Sequence, residues 1–294
     1  MEKTPILAIM YDFDHTLSPR DMQEYGFIPD LGMEADVFWN KCLKAMKRNQ
    51  MDQILAYMYM MLEEAKGKLI VNRNMLRALG KDVQLFDGVS DWFARVNEYA
   101  RSRGLQPEHY IISSGLKEII EGTPIAKEFK EIYAASFCYD EHGVACWPAM
   151  AVNYTSKTQF LFRVNKGVLD VTEHRALNEF MPEEKRRVPF SNMIYVGDGL
   201  TDVPSMKLTK LNGGHSIAGE RGGQQRDAAR RARGFRRQGR LQQGKRDGKD
   251  GFRRHRPNCR QRQNRADACG RMRPRQANTG GSMKNRKLLV LDID

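Results

Sequence analysis

The apolar residues 6–10 run straight into YDFDHTLSP, which sets Asp12, Asp14 and Thr16 two residues apart at the end of one short segment. An apolar run of that length, bounded by polar residues, fits a strand of a parallel sheet covered on both faces. Such a strand requires helices above and below it. It also delivers its acids to the carboxyl edge of the sheet, where open α/β folds place their binding crevices.

The pattern continues to residue 218. Over 33–66 the periodicity is helical, with Ile54, Leu55, Met58, Met61, Leu62 and Ala65 at the three-and-four spacing of one face. The methionines there read as adaptable packing rather than a cofactor box. FDGVSDWFARVNEYARSRGL predicts an amphipathic helix with Val89, Trp92, Phe93, Val96 and Ala100 along one side and Gly104 as its stop. HYIISSG reads as a second strand, and IYAASFCYDEHGVACWPAMAV as a hairpin turning at 140–143, with Trp147 and Pro148 as hairpin packing. Helix is expected from about Thr155, then a strand over 192–199, a short helix over 203–210 and a last strand near HSIA. Strands alternating with helices predict an α/β fold, a doubly wound parallel sheet. The expected division is a core of residues 1–18 and 85–218 with a mainly helical insertion over 19–84.

Charge is distributed unevenly. The 294 residues carry a formal net charge of +13, yet residues 219–294 alone hold 23 basic and 7 acidic side chains, which leaves residues 1–218 with 26 basic and 29 acidic. The basic character therefore belongs to the tail. Residues 219–283 contain 18 Arg, two Lys, one Leu and neither Ile nor Val, too little apolar surface to offset chain entropy, so this Arg-rich tail is expected to be disordered. It could serve as a nucleic-acid arm or a solvated linker. The abrupt change of composition, and the close GGSMKNRKLLVLDID that resembles the opening of the chain, favour a frameshift near Ala218 running into a neighbouring coding start. Nucleic acid is accordingly not the expected partner. No stretch is apolar enough to predict a membrane span or a secretory leader, and the five cysteines lack zinc spacing, so the expected setting is cytoplasmic, with reduced thiols. The sequence specifies no oligomeric state.

A lone DxDxT often marks only a helix cap. Here three further features accompany it: IISSG at the end of a second strand, Lys157 at the start of a helix, and GDGLTD, with Asp198 and Asp202, after a third strand. The carboxyl ends of neighbouring strands converge, so these groups can meet although far apart in sequence. Gathered carboxylates call for a hard cation or shifted pKa values, and Mg²⁺ suits such oxygen donors while keeping positions for phosphate. Lys157 would offset negative charge on Asp12 and on a phosphoryl group, which Thr16, Ser113 and loop N–H groups can hold.

In order and kind, DFDHT, IISSG, Lys157 and GDGLTD resemble the four motifs of the haloacid dehalogenase superfamily in its phosphatase branch, over residues 1 to about 218. The resemblance implies a Rossmann-like core and a Mg²⁺-dependent phosphatase acting on a small phosphorylated metabolite. It makes Asp12 the nucleophile that forms an aspartyl-phosphate, and Asp14 the general acid and then base. It assigns Mg²⁺ to Asp12, the backbone carbonyl of Asp14, and Asp198, with Asp202 as a further ligand or support. Phosphate would be held by Thr16 and the Ser113, Ser114, Gly115 stretch, with Ser113 aligning better than Ser114 as the motif hydroxyl. The second Asp marks phosphoryl chemistry, because the dehalogenase branch lacks an acid there.

The insertion over 19–84 resembles the helical cap of phosphoserine-phosphatase-like members, which closes over small substrates. Phe27, Phe38, Trp39 and Tyr57 within it could line a pocket but read first as packing between cap helices, and His15 as a loop residue rather than a ligand. The rival readings are a phosphotransferase or phosphomutase that passes the phosphoryl group to another alcohol, a nucleic-acid-binding protein acting through the tail, and a non-catalytic phosphate-binding module.

Overall fold

A computed structural model describes residues 4–219. The expected disorder of the tail, the frameshift, and Cys259 and Cys269 lie outside the described residues. The elements are β1 (Ile6–Tyr11), α1 (Phe27–Asp30), α2 (Ala35–Asn49), α3 (Gln53–Ala65), α4 (Arg73–Leu79), α5 (Val89–Ser102), β2 (Gln106–Leu116), α6 (Lys117–Glu121), β3 (Phe129–Tyr139), β4 (Ala145–Met150), α7 (Lys157–Lys166), α8 (His174–Asn178), β5 (Met193–Gly197), α9 (Val203–Leu211) and β6 (His215–Ala218).

Six strands form one sheet in the order β4-β3-β2-β1-β5-β6. All neighbours are parallel except β3 and β4, the expected hairpin, whose Cys138 and Trp147 pair across the ladder. The alternation of side chains along β1 separates two apolar clusters. Ile9 and Tyr11 face one side with Phe93 of α5, Ile111 and buried residues of α1 to α4, while Ala8 and Met10 face the other with Tyr110, Tyr195, Phe160 and Leu161 of α7 and Met206 of α9. Helices thus cover both faces, as a doubly wound Rossmann-like sheet requires.

The helices between β1 and α5 start and stop for local reasons. The Asp52 carboxylate caps α3 by accepting the N–H groups of Ile54 and Leu55, and Asn72 caps α4 by accepting that of Met75. Gln50 ends α2 in a left-handed conformation, φ 52°. Asp52 also accepts from the Asn153 amide at 3.0 Å, tying the start of α3 to the loop before α7. Met58, Met60 and Met61 are buried, and Phe27 and Phe38 are fully enclosed, in keeping with packing roles. Trp147 departs from expectation. It lies 70 % exposed on β4, because the edge strand turns that face away from the core. Cys42 is a buried thiol, and Cys138 and Cys146 are free thiols hydrogen-bonded to each other with their sulfurs 3.5 Å apart. No helix among the described residues is long and apolar enough to cross a membrane.

Candidate active site

Strand register brings the motifs to one edge. Tyr11 pairs with Ile111 of β2 on one side and Val196 of β5 on the other, and the Asp12 N–H extends the ladder by donating to the Val196 carbonyl at 2.8 Å. Asp12 and Asp198 therefore leave β1 and β5 at one edge, alongside Ser113 near the end of β2. Lys157 opens α7 beneath them, and Asp202 closes the turn that leads into α9.

Lys157 is fully buried, a position that a lysine holds only when paired. Its ammonium donates to Asp202 Oδ1 at 2.7 Å and lies 3.1 Å from Asp12 Oδ1. Asp202 is held from several directions: the Tyr195 hydroxyl donates to Oδ1 at 2.8 Å and the Gly199 N–H to Oδ2 at 3.1 Å. Asp12 Oδ1 also accepts the Phe13 N–H at 2.8 Å. Burial, and then the charge of Asp202, push the Asp12 carboxyl up to about 7, although Lys157 opposes both. Burial alone would lower the Lys157 ammonium, but the charges of Asp12 and Asp202 hold it above its ordinary value.

Asp14 stands apart from this cluster. Its Oδ1 accepts the Met22 N–H at 2.9 Å, and burial, with the charges of Asp21 and Asp12, raises it well above the usual carboxylate range. Gly115 sits against it: a Cβ there would lie 2.8 Å from Asp14 Oδ2 and 2.1 Å from Met22 Cε. Thr16 Oγ1 donates to Asp198 Oδ1 at 3.3 Å. Ser114 spends its hydroxyl on the Val152 carbonyl at 2.7 Å, whereas buried Ser113 accepts the Gly115 N–H at 3.0 Å and keeps its own proton available. His15 adopts φ 60°, with its ring against the Pro19 carbonyl and Asp21, as a loop residue does.

A cavity of about 410 Å³ opens beside Asp14 and Gly115, between α2, α3 and the end of β2. Trp39 and Tyr57 line it, so two of the four aromatic residues read first as packing face a cavity, while Phe27 and Phe38 do not line it. Asp21 and Gln23 line it too, and nothing in their spacing marked them, because a pocket wall follows no motif.

Asp12, Asp198 and Asp202 each bring a carboxylate oxygen within 4.8 Å of the other two. Hard oxygen donors so grouped suit a divalent cation. Asp14 contributes no side-chain oxygen to this group.

The family model for haloacid dehalogenase-like hydrolases matches residues 9–207. An uncharacterized protein of Borreliella burgdorferi is 26 % identical over 233 residues, which cover 70 % of this chain and 79 % of that one. Among solved structures, a substrate-bound phosphoserine phosphatase complex is 14 % identical with a TM-score of 0.49, covering 74 % of this chain and 87 % of that one. A HAD family hydrolase of Salmonella enterica serovar Typhi is 15 % identical with a TM-score of 0.47, covering 69 % of this chain and 61 % of that one. The family match runs from β1 into α9 and so includes every element that carries a motif to the sheet edge: the chain belongs to the haloacid dehalogenase-like hydrolases.

Proposed function

We propose that the protein is a Mg²⁺-dependent phosphatase that hydrolyses a small phosphorylated metabolite through an aspartyl-phosphate on Asp12. The observation that carries this reading is the division of labour among buried acids. Asp12 is paired with Lys157 beside Asp198 and Asp202, while Asp14, two residues on, faces a separate cavity with a raised pKa.

Asp12 has one oxygen fixed and one available. Oδ1 is held by the Phe13 N–H and the Lys157 ammonium, and Oδ2 has no hydrogen-bond partner among the described residues. In the first step Oδ2 forms a bond to phosphorus as the bond from phosphorus to the leaving alcohol breaks. Asp14, protonated through its raised pKa, gives its proton to the departing oxygen. In the second step Asp14, now a carboxylate, takes a proton from water as that water bonds to phosphorus, and Asp12 leaves as a free carboxylate with inorganic phosphate as product. Lys157 stays charged throughout and offsets the negative charge that gathers on the phosphoryl oxygens. Ser113, with its proton unspent, and Thr16 are the hydroxyls suited to the remaining phosphate oxygens. Asp12, Asp198, the Asp14 backbone carbonyl and, directly or in support, Asp202 would hold Mg²⁺, which would supply positive charge to the phosphoryl oxygens.

Residues 19–84 act in this reading as a cap, with Trp39 and Tyr57 forming part of the wall around the leaving group. Uncatalysed phosphomonoester hydrolysis is slow enough that enhancements reach about 10²¹-fold, so nucleophile, acid and metal must act together. The test is an assay over a panel of metabolite phosphates with and without Mg²⁺. Turnover that requires Mg²⁺ and vanishes in Asp12→Asn is expected, and a full panel without hydrolysis contradicts the proposal.

A further inference from the structure

The cavity beside Asp14 has a chemical bias that the reaction itself does not use. Its lining includes the acids Asp14 and Asp21 and the amide of Gln23, and no lysine or arginine lines it among the described residues. Gln23 is 2 % exposed, and its Oε1 has no hydrogen-bond partner among the described residues. A buried acceptor left unmatched costs roughly 1–3 kcal/mol, a cost removed when the amide turns toward a ligand that supplies a donor. Gln23 sits in the turn Met22–Glu24, directly after the residue whose N–H holds Asp14.

The aromatic wall has the same bias. The Trp39 indole N–H donates to Glu24 Oε1 and the Tyr57 hydroxyl to the Ser114 carbonyl, each at 2.8 Å. With their polar ends occupied, the two rings, 6.3 Å apart, remain as apolar surface. Aromatic rings beside the Asp21 carboxylate and an unmatched acceptor make a setting for a cation with N–H donors. A carboxylate in the same place would meet Asp21, and no lysine or arginine lines the cavity among the described residues to pair it.

We infer that the substrate is the phosphate ester of an amino alcohol: a short leaving group bearing a protonated amine and no carboxylate, its ammonium received by Asp21, Gln23 and the Trp39–Tyr57 wall. This assignment rests on the phosphatase reading above. A cavity of about 410 Å³ suits a leaving group of that size.

Steady-state kinetics of the full 294-residue chain with Mg²⁺ tests it, using phosphoethanolamine, phosphoserine, phosphoglycolate, glycerol phosphate and p-nitrophenyl phosphate. The expected result is a kcat/KM for phosphoethanolamine at least about tenfold above those of phosphoserine, phosphoglycolate and glycerol phosphate. Asp21→Asn should raise KM for phosphoethanolamine about tenfold and narrow its lead over phosphoglycolate. Gln23→Met, which keeps the volume and removes the acceptor, should narrow the lead in the same direction even where Asp21→Asn folds poorly. Hydrolysis of p-nitrophenyl phosphate with a preference for phosphoserine, phosphoglycolate or glycerol phosphate overturns the amino-alcohol assignment and leaves the phosphatase standing. So does a substrate ratio that neither variant moves. Hydrolysis of none of the five overturns both.

Discussion

Lys157 Nζ lies 3.1 Å from Asp12 Oδ1, on the same oxygen that accepts the Phe13 N–H, so one lysine both neutralises Asp12 and orients it. The second contact of that ammonium, to Asp202, fixes its position, and Tyr195 and Gly199 fix Asp202 in turn. A buried chain of polar groups therefore ends at the proposed nucleophile.

Lys157→Met should reduce kcat by about 10²–10³-fold, the range found when a charge-stabilising donor is removed from a reacting centre. It should also destabilise the apoprotein by about 3–5 kcal/mol, because the acids around it lose their only buried counter-charge among the described residues. Lys157→Arg should rescue little, since a planar fork does not fit where a compact ammonium is fully enclosed. Chemical denaturation and turnover assays on the two variants check both expectations.

Gly115→Ala tests the positioning of Asp14 without touching a charge. The added Cβ would come within 2.1 Å of Met22 Cε and 2.8 Å of Asp14 Oδ2. The flexible methionine can yield, but Asp14 must shift with the Met22 N–H that holds it. Displacement of a catalytic group by about 1 Å costs on the order of 10²-fold, so kcat should fall by that much while the circular dichroism spectrum stays that of the native fold.

The pH dependence of stability should carry the signature of His109. This buried ring faces the Tyr11 hydroxyl through Nδ1 and Asn97 Oδ1 through Nε2, each at 3.0 Å. Asn97 Oδ1 can only accept, so Nε2 carries the proton of the neutral ring and Nδ1 accepts the Tyr11 hydroxyl, whose oxygen accepts the Trp92 indole N–H. Burial lowers His109 from 6.5 to about 4. The unfolded chain takes up this proton below about 6.5 and the folded chain only near 4, so the stabilisation is complete above pH 6.5 and is lost as pH falls toward 4. Wild type should lose about 1.4 kcal/mol per pH unit more than His109→Gln within that window.

Glu108 acts in a lower window. Burial would raise its carboxyl, but hydrogen bonds from Arg187, Lys130 and Tyr110 overcome this and lower it from 4.5 to about 2. Its contribution is present above pH 4.5 and lost as pH falls toward 2, so urea melts at pH 5.5 and 3 should separate the two residues by the variants Glu108→Gln and His109→Gln.

Mg²⁺ should stabilise the protein by mass action if Asp12, Asp198 and Asp202 receive it. At 100 times its Kd, a ligand that binds only the folded state contributes about 2.7 kcal/mol. Thermal melts should rise with Mg²⁺ in wild type and stay flat in Asp198→Asn.

The parts of this architecture legible in the sequence are those where one physical requirement governs a short segment. The run into Asp12 had to be a strand covered on both faces, and the turn at 140–143 had to reverse the chain between β3 and β4. The turn and short helix at GDGLTD followed from the glycines that let Asp202 approach: a Cβ at Gly197 would lie 2.6 Å from Asp202 Cγ. The five-residue α6 and α8 left no periodicity to read, since a single turn of helix spans too few positions. Leu55, at the right spacing for the buried face of α3, is 37 % exposed, while Tyr57, outside that spacing, is buried because its hydroxyl reaches the Ser114 carbonyl. Gln23 and Asp21 became visible only when α2 and α3 folded over them. A pocket wall is a tertiary property, and no local pattern encodes it.

The central claim is that Asp12 carries the phosphoryl group. Enzyme quenched in acid during turnover with Mg²⁺ and a hydrolysed substrate, then digested and mapped by mass spectrometry, tests it most directly. The account predicts a hydroxylamine-labile phosphoryl group on the peptide containing Asp12, accumulating in Asp14→Asn when the leaving group is p-nitrophenol and absent in Asp12→Asn. Sustained turnover with no phosphoryl adduct on that peptide, or with turnover preserved in Asp12→Asn, would contradict it.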